Sequence, residues 1–402
     1  MIKHFRRVFY IIGIWGLSSF CSHAKTQIEL WHSLSENIPF WHKLETDFNQ
    51  LNEDYILKTL HLNHEEMKQA IIKTRFGERY PDVVFMPSDW LGFHSVMHFS
   101  AVDLELIHNA VPKTAISDSY FDDQLRGIPF AQGNHLIMMY NKKLTNKKLD
   151  SWHDLFILKD KLTAKKIMPL GLNFHEMYWF MPFVSAYGGV LDKDDNVALD
   201  NQSIIKALQF YRRLSEQKVT SVNCTYACVS RDFYASKVAY AINGAWAYRD
   251  AKNALGDDLG LQAIPAIEGI PVQSMRANFV LSFPNNSLQG LKREALIAFT
   301  KFVQQEKYQK LLYQLSGTFP INQHVINGLM AKNESDFSLL YNLFLQSKTM
   351  PASTSFAALW SGMYKGFYLY MSDHLNAESA AHYMQQRVER EQRVLQDALK
   401  DD

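Results

Sequence analysis

Apolar residues recur along this chain in two rhythms, and the rhythms alternate. Thr26 to Trp31 is an extended run carrying Ile28 and Leu30, after which Phe40, Leu44, Phe48 and Leu51 fall at helical spacing. Tyr55 to Leu62 alternates as a second strand, and Glu65 to Phe76 returns to the helical period. Val83 to Met86 is continuously apolar and breaks at Pro87-Ser88-Asp89. Strand and helix in this order predict an α/β lobe on a largely parallel sheet. In such sheets ligands meet the loops beyond the strand carboxyl ends.

The pattern continues through the chain. Leu136 to Tyr140, Met168 to Leu172, Val238 to Ile242, Gly260 to Ile264 and Asn278 to Phe283 predict strands. A helix begins at Trp152, and others are predicted over Glu176 to Tyr187, Ser203 to Gln217, Ala295 to Gln305, Lys307 to Leu315 and Ala377 to Leu399. Gly317 to Pro320 reads as a break. No repeat, low-complexity tract or flexible linker separates independent domains. A chain of 402 residues exceeds what one core normally holds, so two lobes sharing several crossings are expected.

The N-terminus changes where this protein is expected to work. Lys3, Arg6 and Arg7 precede an uncharged apolar run from Val8 to Phe20, and Ser22-His23-Ala24 ends in small residues. This is the pattern of a cleavable export signal, with Lys25 as the mature N-terminus in the periplasm. The apolar run is too short to span a bilayer comfortably, though a retained anchor is the alternative. Cys21 follows the bulky Phe20, which disfavours lipid attachment. Losing Lys3, Arg6 and Arg7 from 42 basic residues leaves fewer bases than the 41 acids, so nucleic acid is not an expected partner. Cys224 and Cys228 then remain. In an oxidising compartment a short structural disulfide is the preferred reading, and ligand binding is expected elsewhere.

Catalytic signatures are missing: there is no Gly-x-Ser-x-Gly elbow, phosphate-binding Gly-rich loop or His-Glu-x-x-His. His61, His64 and Glu65 cluster, and His94 and His98 have i, i+4 spacing, but neither group brings enough ligands to predict a metal site. A cleft carboxylate pair of the glycosidase kind stays open. The sharper pattern is aromatic and polar residues at strand exits: Trp31-His32-Ser33, Asp89-Trp90, Glu176 with Tyr178 and Trp179, and Trp246 with Tyr248. Trp360 and Tyr364 lie near the C-terminus. Flat rings suit the apolar faces of pyranoses, and carboxylates accept from their hydroxyls.

In order and spacing these segments resemble the solute-binding proteins of ABC importers, in the extracellular family typified by maltose- and glycerol-3-phosphate-binding proteins. Pro81-Asp82-Val83-Val84-Phe85 with Ser88-Asp89 is similar to the family's third strand and ligand loop. Ile128-Pro129 and Met139-Tyr140-Asn141-Lys142 resemble its first crossing, and Ser151-Trp152-His153-Asp154-Leu155 a helix start. Asn173 to Tyr178 with Gly188-Gly189, Asn243-Gly244-Ala245-Trp246-Ala247, and Met350-Pro351 with Leu359-Trp360 resemble further ligand-bearing segments. The resemblance implies a two-lobed α/β periplasmic binding fold of type II, closing over a ligand in the cleft. It implies Asp89, Glu176, Tyr178, Trp246 and Trp360 as ligand contacts. Glu36, Trp90 and Tyr364 stand where the family's maltose binder has other residues, and with Trp31 and His32 they complete the expected site.

Lobe 1 is expected over 25–132 plus about 266–316, and lobe 2 over 133–265 plus about 317–402. Crossings are expected near Gln132 to His135, Pro265 to Met275 and Gly317 to Asn322. By the same resemblance the protein is a monomer without catalytic activity or cofactor. It captures a sugar or small oligosaccharide and works with ABC permease and ATPase subunits at the inner membrane. A sensory binding protein and a secreted carbohydrate-active enzyme are the rival readings.

Overall fold

The computed structural model describes residues 25–74, 80–189, 197–332 and 335–400. The export segment, its cleavage after Ala24 and the end of the helix expected to reach Phe76 lie outside these residues. Ten strands carry the two main sheets: β1 (Thr26–His32), β2 (Tyr55–His61), β3 (Val83–Pro87), β4 (Ile128–Gly133), β5 (Leu136–Asn141), β6 (Met168–Gly171), β7 (Val238–Gly244), β8 (Leu259–Gln262), β9 (Met275–Ser282) and β10 (Phe319–Pro320). The first sheet runs β10-β4-β9-β3-β1-β2, with Lys348–Thr349 added against β9, and the second runs β8-β5-β7-β6.

The largely parallel sheet expected for the first lobe is parallel only over β2-β1-β3. Strands β9, β4 and β10 join it antiparallel. The reason is connectivity. Strand β4 leads out to β5 of the second sheet, and β9 brings the chain back from β8, so neither belongs to a simple strand-helix-strand repeat. At Gly317 to Asn322 the chain adds the short edge strand β10 beside β4, where Gln132 Nε2 donates to the Pro320 carbonyl at 2.9 Å.

The strand period explains the packing. Along β1 and β3, Ile28, Leu30, Val83 and Phe85 join a core beneath the helices Ile38–Leu51, Arg293–Val303 and Glu306–Ser316. Their neighbours Trp31, Val84 and Met86 join a second core shared with the second sheet and the C-terminal helices. Burial on both faces is why Val83 to Met86 reads as an unbroken apolar run. Elsewhere, the helix Trp152–Ala164 starts with a capping box, in which Ser151 and Asp154 exchange side-chain-to-backbone hydrogen bonds. Trp152 Nε1 then donates to the Pro265 carbonyl at 2.9 Å, tying that helix to the return crossing. Among the described residues no helix is long and apolar enough to cross a membrane.

The C-terminal helices Thr354–Met371 and Ala377–Lys400 pack on each other. The first also packs on the turn Ser88–Phe93 that follows β3 and on the helix Met177–Ala186. Ser353 caps it by accepting from the Phe356 amide at 3.1 Å. The Ser353 carbonyl lies so close to Gly92 that a Cβ there would stand 2.1 Å from its oxygen and 2.9 Å from the Ala357 Cβ.

A methyl group at position 92 meets backbone, which cannot swing aside as a flexible side chain would. Gly92→Ala stiffens the unfolded chain, a gain of about 0.4–1 kcal/mol, but overpacking costs about 1–3 kcal/mol. The expected outcome is a net loss of stability, read as a lower urea midpoint with an unchanged slope.

Candidate ligand cavity between the two sheets

A cavity of about 840 Å³ opens where the loops of the two sheets face each other. From the first sheet its wall takes Ser33 to Glu36 after β1, Pro87, Asp89 and Trp90 at the end of β3, and Gln132 to Asn134 at the first crossing. The helix His64–Thr74 adds His64, Glu65 and Lys68. From the second sheet come Asn173 and Glu176 to Trp179 after β6, and Ala245 and Trp246 after β7. Trp360, Ser361 and Tyr364 close it from the C-terminal helix.

Eight of the ten expected site residues line this cavity: Glu36, Asp89, Trp90, Glu176, Tyr178, Trp246, Trp360 and Tyr364. Trp31 and His32 do not. Both belong to β1 itself, ahead of the loop, and their side chains enter the two cores. Trp31 is buried and donates from Nε1 to Glu29 Oε1 at 2.7 Å. His32 lies buried with ring centroids 5.8 Å from Trp41 and 5.3 Å from His61. Burial, reinforced by His61, lowers its pKa to about 3, so it stays neutral. The His94 and His98 spacing also does not produce a shared helix face. The helix ends at Met97, and His98 takes a left-handed φ of 46°.

The rings meet around Tyr178. Its centroid is 6.3 Å from Trp246 and 6.1 Å from Trp360, and Trp179 is 6.2 Å from Trp246. Local sequence explains the placement of Trp246. A Cβ on Gly244 would fall 2.0–2.2 Å from the indole carbons, so only glycine lets the ring fold back over the end of β7. Asn243 braces that turn, accepting from the Gly244 amide at 2.8 Å and donating to the Val229 carbonyl at 3.1 Å. Trp179 is anchored by donation to the Ile242 carbonyl at 2.7 Å. Tyr178 points its hydroxyl at the Asn134 carbonyl, on the first crossing, and at the Met275 carbonyl, where the chain returns, 3.2 Å away.

Sequence reasoning placed no ligand chemistry at the cysteine pair, and the structure adds a residue there. Cys224 and Cys228 are bonded, with Cα atoms 5.3 Å apart. Tyr226, inside the closed loop, lines the cavity, and its hydroxyl accepts from Trp246 Nε1 at 3.2 Å. The loop is tied to the segment after β6: Phe174 donates to the Cys224 carbonyl at 3.0 Å and Leu172 to its sulfur at 3.2 Å. The signal available was a tyrosine midway between two cysteines. His64 and Glu65 drew notice in the sequence only as part of a cluster with His61 too small for a metal site, and Lys68 was not singled out.

Carboxylates dominate the charge. Glu36, Glu65, Asp89 and Glu176 line the cavity, while its cation Lys68 is bonded to Glu65 at 3.1 Å. Asp89 is only 4% exposed. Its Oδ2 accepts from Trp360 Nε1 at 3.3 Å, and its Oδ1 has no protein partner. Burial pushes its pKa up to about 6, against the opposing pull of the Trp360 hydrogen bond and of Lys68. Glu36 is raised to about 7, again chiefly by burial. Glu176 caps the helix Met177–Ala186 through the Tyr178 amide. Such a cavity offers stacking faces and hydrogen-bond acceptors, and little to neutralise an anion.

Residues 43–337 match the family described as bacterial extracellular solute-binding protein. Among solved structures, the maltose/maltodextrin-binding domain MalE of Bdellovibrio bacteriovorus, bound to maltotriose, is 22% identical with a TM-score of 0.83. That alignment covers 91% of this chain and 99% of that one. The GacH receptor of Streptomyces glaucescens GLA.O, determined unliganded and with acarbose, is 18% identical with a TM-score of 0.83, covering 92% and 99%. At these identities the likeness speaks for the fold: two α/β lobes about a cleft. With most of the chain matched to one family, the protein belongs to the bacterial extracellular solute-binding proteins.

Proposed function

We propose that this protein captures a sugar or small oligosaccharide in the cavity between its two lobes and presents it to the permease and ATPase subunits of an ABC importer. It acts in the periplasm as a monomer, by binding rather than catalysis. The observation that carries this reading is the pairing of two features in one cavity. Tyr178, Trp246 and Trp360 gather their rings there, beside a buried carboxylate with a free acceptor, Asp89 Oδ1. Pyranose rings present apolar faces to such rings and hydroxyls to such acceptors. The solved neighbours hold maltotriose and acarbose, which supports the same ligand class here.

Asp89 and Glu36 belong to the first wall, and Trp246, Tyr178 and Glu176 to the second. A ligand touching both walls favours the closed arrangement, because only that arrangement makes both sets of contacts. We take the moving bodies to be 25–132 with about 266–316, against 133–265 with the C-terminal remainder. The acid-rich lining selects for neutral sugars over phosphorylated ones, since Lys68 is already engaged by Glu65.

A thermal-shift screen tests the ligand class. A neutral sugar is expected to raise the melting midpoint, and its phosphate ester is expected to leave it unmoved. With the sugar so identified, Trp246→Ala and Trp360→Ala are each expected to lose about 1–3 kcal/mol of binding, roughly 5- to 150-fold in affinity. Unchanged affinity with a depressed melting point would make both indoles ordinary core and would overturn the assignment.

The raised Asp89 pKa has two consequences of opposite sign. Ionised Asp89 accepts sugar hydroxyls, so calorimetry is expected to show affinity falling as pH is lowered from 7 to 5. Stability without ligand runs the other way. Between the ordinary carboxyl value and about 6 the folded state keeps a proton that the unfolded state has released, so unfolding becomes easier as pH rises through that window. Asp89→Asn is expected to make this slope shallower, leaving the share that Glu36 contributes, and to recover up to about 3 kcal/mol above pH 7. A slope shared by wild type and variant would place the titrating group elsewhere.

A further inference from the structure

The helix Thr354–Met371 buries Phe356, Leu359, Met363 and Phe367, and the flank beside that buried side carries aromatics at every fourth position: Trp360, Tyr364 and Tyr368. Residues four apart stand above one another on one helix face. Trp360 reaches into the cavity to Asp89. Tyr364 lines the mouth yet is 58% exposed. Tyr368 lies beyond the lining, 44% exposed, with its ring 6.5 Å from that of Tyr364 and only 23° from parallel. At 1.5 Å per residue the three rings span about 12 Å, longer than one pyranose. The far ring is also joined to the cavity from the other side. His175 lies 5.3 Å from Tyr368, in the segment whose Asn173 and Glu176 line the wall.

Two near-parallel phenols left in water at the mouth of a cavity need an explanation that core packing does not provide. Their continuity with Trp360 points to one occupant. Resting on the sugar-binding reading above, we propose that Tyr364 and Tyr368 form an outer track for an oligosaccharide. The inner units of that ligand lie among Trp246, Tyr178 and Trp360, and its outer units run over the rim along the helix. The ligand is therefore a chain that emerges from the protein, not a monosaccharide sealed inside it. Tyr364 guides the chain across the mouth. Tyr368 contacts only units that have left the cavity, so it selects for length and leaves the choice of inner sugar unchanged.

Calorimetry on the full chain tests this with length series from one to five units of α-1,4- and β-1,4-linked glucose, β-1,4-linked xylose and β-1,4-linked N-acetylglucosamine. In the series that binds, wild-type affinity is expected to keep rising beyond the disaccharide. Tyr368→Ala is expected to lose about 5- to 10-fold for the longest member and to match wild type for the shortest, with Tyr368→Phe retaining the longer-chain affinity. Two results would overturn the track while leaving the cavity's sugar reading in place: no gain with length, or a Tyr368→Ala loss equal for short and long members. Binding of no member in any series would overturn both. Because Tyr368 is half exposed, the variant is expected to melt with the wild type, and a common melting point shows that the loss is one of contact.

Discussion

The geometry of the cavity hangs on a contact between two backbones. Gly92, in the turn after β3, lies directly against the Ser353 carbonyl at the head of a C-terminal helix. That contact fixes how far the helix advances over the first sheet. The advance in turn brings Trp360 within hydrogen-bond reach of Asp89, two segments 271 positions apart. Asp89 is consequently roofed by an indole and shut away from water, which is the origin of its raised pKa. A change at position 92 moves this whole frame.

Much of the fold was legible because its strands obey one simple rule each. The continuous apolar run of β3 follows from burial on both faces, and most predicted helices lie within a residue or two of their observed ends. Two of the misses share a cause, for they concern segments whose conformation is set by distant partners. Ile128–Gly133 contains Pro129 and has no strand-like alternation, yet it pairs on both edges because β9 and β10 arrive from later in the chain. Gly317 to Pro320 looked like a break for the same reason.

The site was legible in proportion to how local its causes were. Gly244 and Trp246 lie two residues apart and interact directly, so the motif carries its own explanation. Asp89 and the residues after β6 sit at strand exits, where a parallel sheet places its loops. Trp31 and His32 were misplaced because they end a strand instead of following it, so the pleat sends one to each core. Tyr226 was overlooked because a short disulfide reads as pure structure. Only the meeting of that loop with Trp246, twenty positions on, gives it a place at the cavity.

The hydroxyl of Tyr178 faces a carbonyl on each of two segments that link the sheets, at Asn134 and at Met275. A rotation that pulled these strands apart would strand the phenol between them, with a buried donor and fewer acceptors. A rotation that twists both strands together would leave it satisfied. If the two lobes close as proposed, this pair of hydrogen bonds favours a screw-like turn about the two linking segments over a simple gape. The same phenol also packs between Trp246 and Trp360, so any ligand stacked on the indoles would bear on the residue that ties the two linking segments together.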